Sequence, residues 1–84
     1  MTTQLAIPPP TRLLVVEDEA IIGRYLQRSL ENLGFQVVSL CISGDEAIRS
    51  AAELQPDLIL MDISLQNDLD GIEVARRIQA EYPI

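Results

Sequence analysis

The 84-residue chain contains no Lys, no His and no Trp, and has a single Cys and a single Phe. Each absence excludes a class of chemistry. Without His there is neither a Ser–His–Asp nor a Cys–His arrangement, and no imidazole metal site. Without Lys, all six basic residues are Arg, scattered among 13 acidic ones, and the formal charge is −7. A chain with that balance cannot neutralise a row of phosphates, so direct nucleic-acid binding is not expected of it. One cysteine, Cys41, forms no internal disulfide, which fits a reducing compartment. Its expected role is that of a small packed hydrophobe. Long hydrophobic runs are also missing: the longest, Leu13–Val16 and Leu58–Met61, are strand-sized, so no membrane partner is expected. Residues 1–10 lack the charged and apolar regions of a secretory signal. These exclusions describe one small, soluble, acidic domain located in the cytoplasm.

What the chain does have is aliphatic bulk. Hydrophobic residues make up 48% of it and aromatics 4%. A domain of this size buries only roughly 60–65% of its unfolded surface. So much Leu, Ile and Val suits a larger body whose strands are covered on both faces.

Residues 1–11, with three consecutive prolines at 8–10, read as a flexible extended leader. The domain, 12–84, begins with Arg12-Leu13-Leu14-Val15-Val16, an unbroken aliphatic run of the kind buried on both faces of a parallel sheet. Ala20 to Leu33 places apolar residues at 22, 26, 30 and 33, with 21 and 25 beside them, and Gly34 follows in the position that ends a helix. Phe35 to Ile42 is partly alternating and predicts a less buried, outer strand. Ser43 and Glu46 have the spacing of a capping box, in which each side chain accepts a backbone N–H from the other's position. The helix they open bears Ala47, Ile48, Ala51, Ala52 and Leu54 on one face, and Pro56 ends it. Asp57 to Asp62 is a third strand. A polar loop, 64–70, leads to a helix capped by Asp70, with Glu73 three residues on and a stripe of Val74, Ala75, Ile78 and Tyr82. Alternation of this kind predicts an α/β fold, β-α-β-α-β-α, wound by right-handed crossovers.

In such sheets ligands bind beyond the carboxyl ends of the strands. Two strands end there in acid, the first in Glu17 and Asp18 and the third in Asp62. If the strands are neighbours, a spacing of about 4.8 Å brings the three carboxylates to one rim. Like charges at roughly 5 Å repel by about 3 kcal/mol per pair at an effective dielectric near 20. The cluster therefore calls for protons, a cation or separation. An all-oxygen set with waters is what Mg²⁺ prefers, and beside such an ion a carboxylate can act as nucleophile toward a phosphoryl group. Asp62 is the better nucleophile, since it ends its strand alone beside an open polar loop; Glu17 and Asp18 are the better metal holders. The competing reading is structural. Acids at strand-to-helix junctions cap helices, and Asp18 or Glu19 taken singly fits that role as well as a ligand's. For Asp70 capping is the favoured reading over a ligand's role, and Asp45 and Glu46 read as a helix start and nothing more.

Leu13-Leu14-Val15-Val16-Glu17-Asp18-Glu19, then Pro56-Asp57-Leu58-Ile59-Leu60-Met61-Asp62, then Asp70-Gly71-Ile72-Glu73 resemble the receiver domain of two-component response regulators. The 44 residues from Asp18 to Asp62 also resemble the family's interval between its metal-binding acid and its phosphoacceptor. The resemblance covers residues 12–84. It implies a flavodoxin-like doubly wound parallel sheet with strand order 2-1-3. It implies that Asp62 accepts a phosphoryl group from a histidine kinase or phosphotransfer protein, controlling an output domain or downstream partner. Asp18 would hold Mg²⁺ directly, Glu17 through water or its longer arm, and Ser64 through its backbone carbonyl. Such a domain promotes its own phosphoryl transfer and is not an enzyme in the usual sense. Glu17 stands where many receivers have Asp, and the loop after Asp62 is one residue longer than in the commonest receivers. Its Asp62-Ile63-Ser64-Leu65 resembles a subgroup of them.

The family has five βα units and this sequence supplies three. The fourth strand's switch Ser/Thr and the fifth strand's Lys have no counterpart here. The expectation is a fragment of a longer regulator, with truncation, or a second copy covering the exposed faces, as alternatives. Slow phosphorylation is expected of the three units alone. Two other functions compete: a phosphorylation-independent dimerisation or docking module, against which the acidic trio argues, and a Mg²⁺-dependent phosphotransferase or phosphatase on small molecules. The latter lacks a second catalytic acid close after Asp62 and any basic substrate-binding cluster.

Overall fold

The aliphatic runs become strands and the periodic segments helices. A computed structural model describes residues 9–62 and 70–84, and in it the elements are β1 (Arg12–Val16), α1 (Ala20–Asn32), β2 (Gln36–Cys41), α2 (Gly44–Leu54), β3 (Leu58–Met61) and α3 (Gly71–Glu81). All strand pairs are parallel and the order is β2-β1-β3, which is the expected 2-1-3 arrangement. β1 takes the centre because its side chains are apolar on both faces of the pleat; Leu13 to Val16 are all buried.

Alternation assigns the faces. Leu14 and Val16 join Cys41, Ala47, Ala51, Val74 and Ile78 in the core beneath α2 and α3. Leu13 and Val15 point to the opposite face, where α1 lies. The β1–β2 register shifts by one residue, Leu13 pairing with Val37 but Leu14 with Ser39. This bulge accommodates Val38 and turns Leu40 toward α1 and Cys41 toward the core. It accounts for the imperfect alternation of that strand, and Cys41 is the packed hydrophobe expected, its Sγ 3.5 Å from Ser50 Oγ. Gly23 lets α1 approach β2 closely: a Cβ there would stand 2.9 Å from Leu40 Cδ1.

The local signals at helix ends hold with two amendments. Ser43 Oγ accepts the Glu46 N–H at 3.2 Å, but Glu46 Oε2 accepts the N–H of Ile42, also at 3.2 Å, not that of Ser43. Asp70 Oδ1 accepts the Glu73 N–H at 2.9 Å, while the Glu73 carboxylate pairs with Arg76 and Arg77. Gly34 has φ +98° after α1, the left-handed turn its position predicts. α2 ends at Leu54, two residues before Pro56, and its C-cap Gln55 adopts a left-handed φ of 44°. Composition does not announce what covers that end: the Arg12 guanidinium donates to the carbonyls of Leu54 at 2.8 Å and Gln55 at 3.0 Å, and the Arg12 N–H donates to Asp57 Oδ2 at 2.8 Å.

Part of the aliphatic surface is uncovered, as three βα units in place of five lead one to expect: on β3, Leu58 and Leu60 are 54% and 43% exposed. The α1 stripe is likewise open: Ile21 is 86% exposed, and Ile22, Tyr25 and Leu33 are exposed too. The reason is geometric. β3 is an edge strand, α2 and α3 cover the opposite face, and α1 leans on β1 and β2 without reaching across β3. Residues 1–8 of the expected leader and residues 63–69, including Ser64, lie outside the described residues. Pro9 to Thr11 are exposed, and the Thr11 carbonyl accepts the Gln36 N–H at 2.9 Å. Among the described residues no helix is long and apolar enough to cross a membrane.

Candidate functional site

The site follows from where the ladders stop. β1 ends at Val16 and β3 at Met61, yet both pairings run one residue further. Glu17 N–H donates to the Cys41 carbonyl at 2.9 Å, and Asp62 N–H donates to the Val16 carbonyl at 3.1 Å. These bonds hold the backbones of Glu17 and Asp62 side by side at the carboxyl edge of the sheet. One carboxylate oxygen from each of Glu17, Asp18 and Asp62 lies within 4.8 Å of those of the other two. The sequence predicts this convergence, and it depends on β1 and β3 being neighbours.

The three acids are not equivalent. Glu17 is 9% exposed, whereas Asp18 and Asp62 are half-buried. Burial pushes the Glu17 carboxyl above its ordinary pKa; the Glu19 N–H opposes this, and the nearby Asp62 charge and the hydrogen bond and charge of Asp18 add to it. A proton is thus one answer to the repulsion, as electrostatics requires. Beside the cluster an open groove of about 370 Å³ runs between α1 and β3, lined by Glu17, Glu19, Ile22, Leu60 and Asp62 among others. Glu17 and Asp62 are therefore reachable from solvent on the α1 side. Closely grouped carboxylates, one of them buried, form a hard all-oxygen donor set that fits Mg²⁺.

The capping alternatives are also decided. Glu19, not Asp18, stands at the N-cap of α1, and its side chain makes no capping hydrogen bond. Asp45 and Glu46 lie in the first turn of α2 and Asp70 caps α3, as expected. One contact of the site escapes sequence reading: Glu17 Oε1 accepts the Glu19 N–H at 3.1 Å. An acceptor two residues before an uncapped helix start is its signal.

Comparison with known proteins agrees with this geometry. The family model described as response regulator receiver domain matches residues 13–84. The protein-glutamate methylesterase/protein-glutamine glutaminase 3 of Hahella chejuensis is 39% identical over 71 residues, 84% of this chain and 20% of that protein. The alkaline phosphatase synthesis transcriptional regulatory protein PhoP of Bacillus subtilis is 40% identical over 76 residues, 87% of this chain and 31% of that protein. The chain thus spans about a fifth to a third of the length of these relatives. Among solved structures, the signal receiver domain of a modulated diguanylate cyclase from Desulfovibrio desulfuricans superposes with a TM-score of 0.80 at 41% identity, over 84% of this chain and 57% of that one. With sheet order, acidic rim and family model in agreement, the chain belongs to the response regulator receiver domain family of two-component systems.

Proposed function

We propose that Asp62 is the phosphoacceptor of this receiver domain, with Glu17 and Asp18 as the acids that hold Mg²⁺ beside it and the Ser64 carbonyl as a further oxygen. The observation that carries this reading is the approach of three carboxylate oxygens to within 4.8 Å at the joined ends of β1 and β3. A docking surface has no need of such concentrated charge. The ion supplies neutralisation of the negative charge that accumulates on a transferring phosphoryl group.

The protein's own contribution is positional. The Asp62 N–H bond to Val16 fixes the backbone that carries the nucleophile, and the groove along α1 leaves one side of the carboxylate open to a donor. An Asp62 oxygen attacks the phosphorus, the bond from phosphorus to the donor nitrogen breaks, and an acyl phosphate forms on Asp62. The donor is a histidine kinase or phosphotransfer protein in the cytoplasm, and the modified face acts on an output domain or downstream partner. Intact-mass measurement tests the assignment. A small phosphoramidate with Mg²⁺ adds one phosphoryl group to the protein, chelation of the metal prevents it, and Asp62→Asn abolishes it. Undiminished labelling of Asp62→Asn would place the acceptor elsewhere.

A further inference from the structure

Helix α1 begins without a cap from its own N-cap side chain. Its first amide is held from the strand side instead, by Glu17 Oε1 on the Glu19 N–H at 3.1 Å. The same side chain brings an oxygen to the acidic trio. A carboxylate has two oxygens, so Glu17 is able to serve both neighbours at once, and its burial confines it to that task.

We propose that Glu17 couples the cation site to the start of α1, holding the Glu19 N–H with one oxygen while it offers the other to the ion. The proposal rests on the reading of the trio as a cation site and adds a consequence for the surface. Ordering a glutamate side chain costs rotamer entropy. Whichever partner engages first meets that cost, and the second benefits from it. Binding of the ion therefore tightens the tether of the helix that carries the exposed Ile21 and Ile22, and by linkage a tightened tether favours the ion. The Glu19 carbonyl extends the connection, since it accepts the Gly23 N–H at 2.9 Å, and Gly23 is where α1 meets Leu40 of β2.

The test is a Mg²⁺ titration of the protein followed by amide NMR. The amides of Asp18 and Asp62 report occupancy, and hydrogen exchange at the Glu19 amide reports the tether. The expected result is a saturable shift at Asp18 and Asp62 together with several-fold slower exchange at Glu19. A saturable shift with Glu19 exchange unchanged or faster overturns the coupling and leaves the cation site standing. No saturable shift at either Asp18 or Asp62 overturns both. In metal-free buffer, Glu17→Gln, which retains an acceptor oxygen, keeps Glu19 protected, while Glu17→Ala loses that protection. Equal exchange in wild type and Glu17→Ala overturns the tether itself.

Discussion

Replacing Asp62 by Asn should make the metal-free protein more stable, although it removes the residue on which function is proposed to depend. The magnitude follows from the rim. Two unit charges 4.8 Å apart, the outer limit of the separations in the trio, interact by about 3.5 kcal/mol at an effective dielectric of 20 and about 0.9 kcal/mol in water. Asp62 meets two such neighbours, one buried and one half-buried, so the sum runs from about 1.7 to about 7 kcal/mol, and screening at this open rim keeps the relief near the lower end, at about 2–3 kcal/mol. For a chain of this size each kcal/mol moves the midpoint of thermal unfolding by roughly 4–8 °C. Circular-dichroism melts in chelator at low ionic strength should therefore place Asp62→Asn roughly 8–24 °C above wild type. Added salt narrows the gap. Millimolar Mg²⁺ raises wild type far more than the variant, because a ligand that binds the native state alone stabilises it by mass action. If Asp62→Asn melts below wild type in chelator, or if both respond equally to Mg²⁺, the reasoning about repulsion at this rim is wrong.

Glu17 makes the same repulsion pH-dependent. Its folded pKa is raised, so the native state holds the proton more tightly than the unfolded chain, and the metal-free protein loses stability as pH climbs from about 4.5 through the raised value. Urea midpoints in chelator should show Glu17→Gln gaining on wild type as pH rises through that window; a constant difference would refute the linkage. Ser43→Ala should cost ~1 kcal/mol by urea unfolding, since the Glu46 N–H loses its cap. Gln55→Gly should stabilise by about 0.5–1 kcal/mol, because glycine occupies the left-handed conformation without a Cβ penalty; a loss would show that the side chain contributes more than the strain. Ile78→Ala, in the core beneath α3, should cost about 2–5 kcal/mol in the same assay.

Much of this architecture is legible in order of residues alone, because the responsible forces act over short stretches. Unbroken Leu-Leu-Val-Val and Leu-Ile-Leu-Met announce strands of a parallel sheet, and Ser43, Asp70 and Gly34 mark helix ends through bonds and backbone angles that involve their immediate neighbours. The candidate site is legible one step further, since acids at two strand ends meet once those strands are adjacent. What escapes local reading is what happens between distant segments. Nothing in the composition of Arg12 says that it will cover the carbonyls at Leu54 and Gln55, which are remote in sequence and adjacent only across the sheet. Which apolar side chains stay uncovered, Leu58, Leu60 and Ile21 among them, is not readable locally for the same reason: apolarity states a preference for cover, but only the placement of neighbouring elements provides it. The sequence by itself therefore determined the elements, their order and the identity of the three acids, through local propensity and pattern. The tertiary structure decided which faces are covered, that the Val38 bulge sends Cys41 inward, and that Glu17 faces the Glu19 amide and the other two carboxylates together, because those outcomes depend on strand register and on the position of α1 against the sheet.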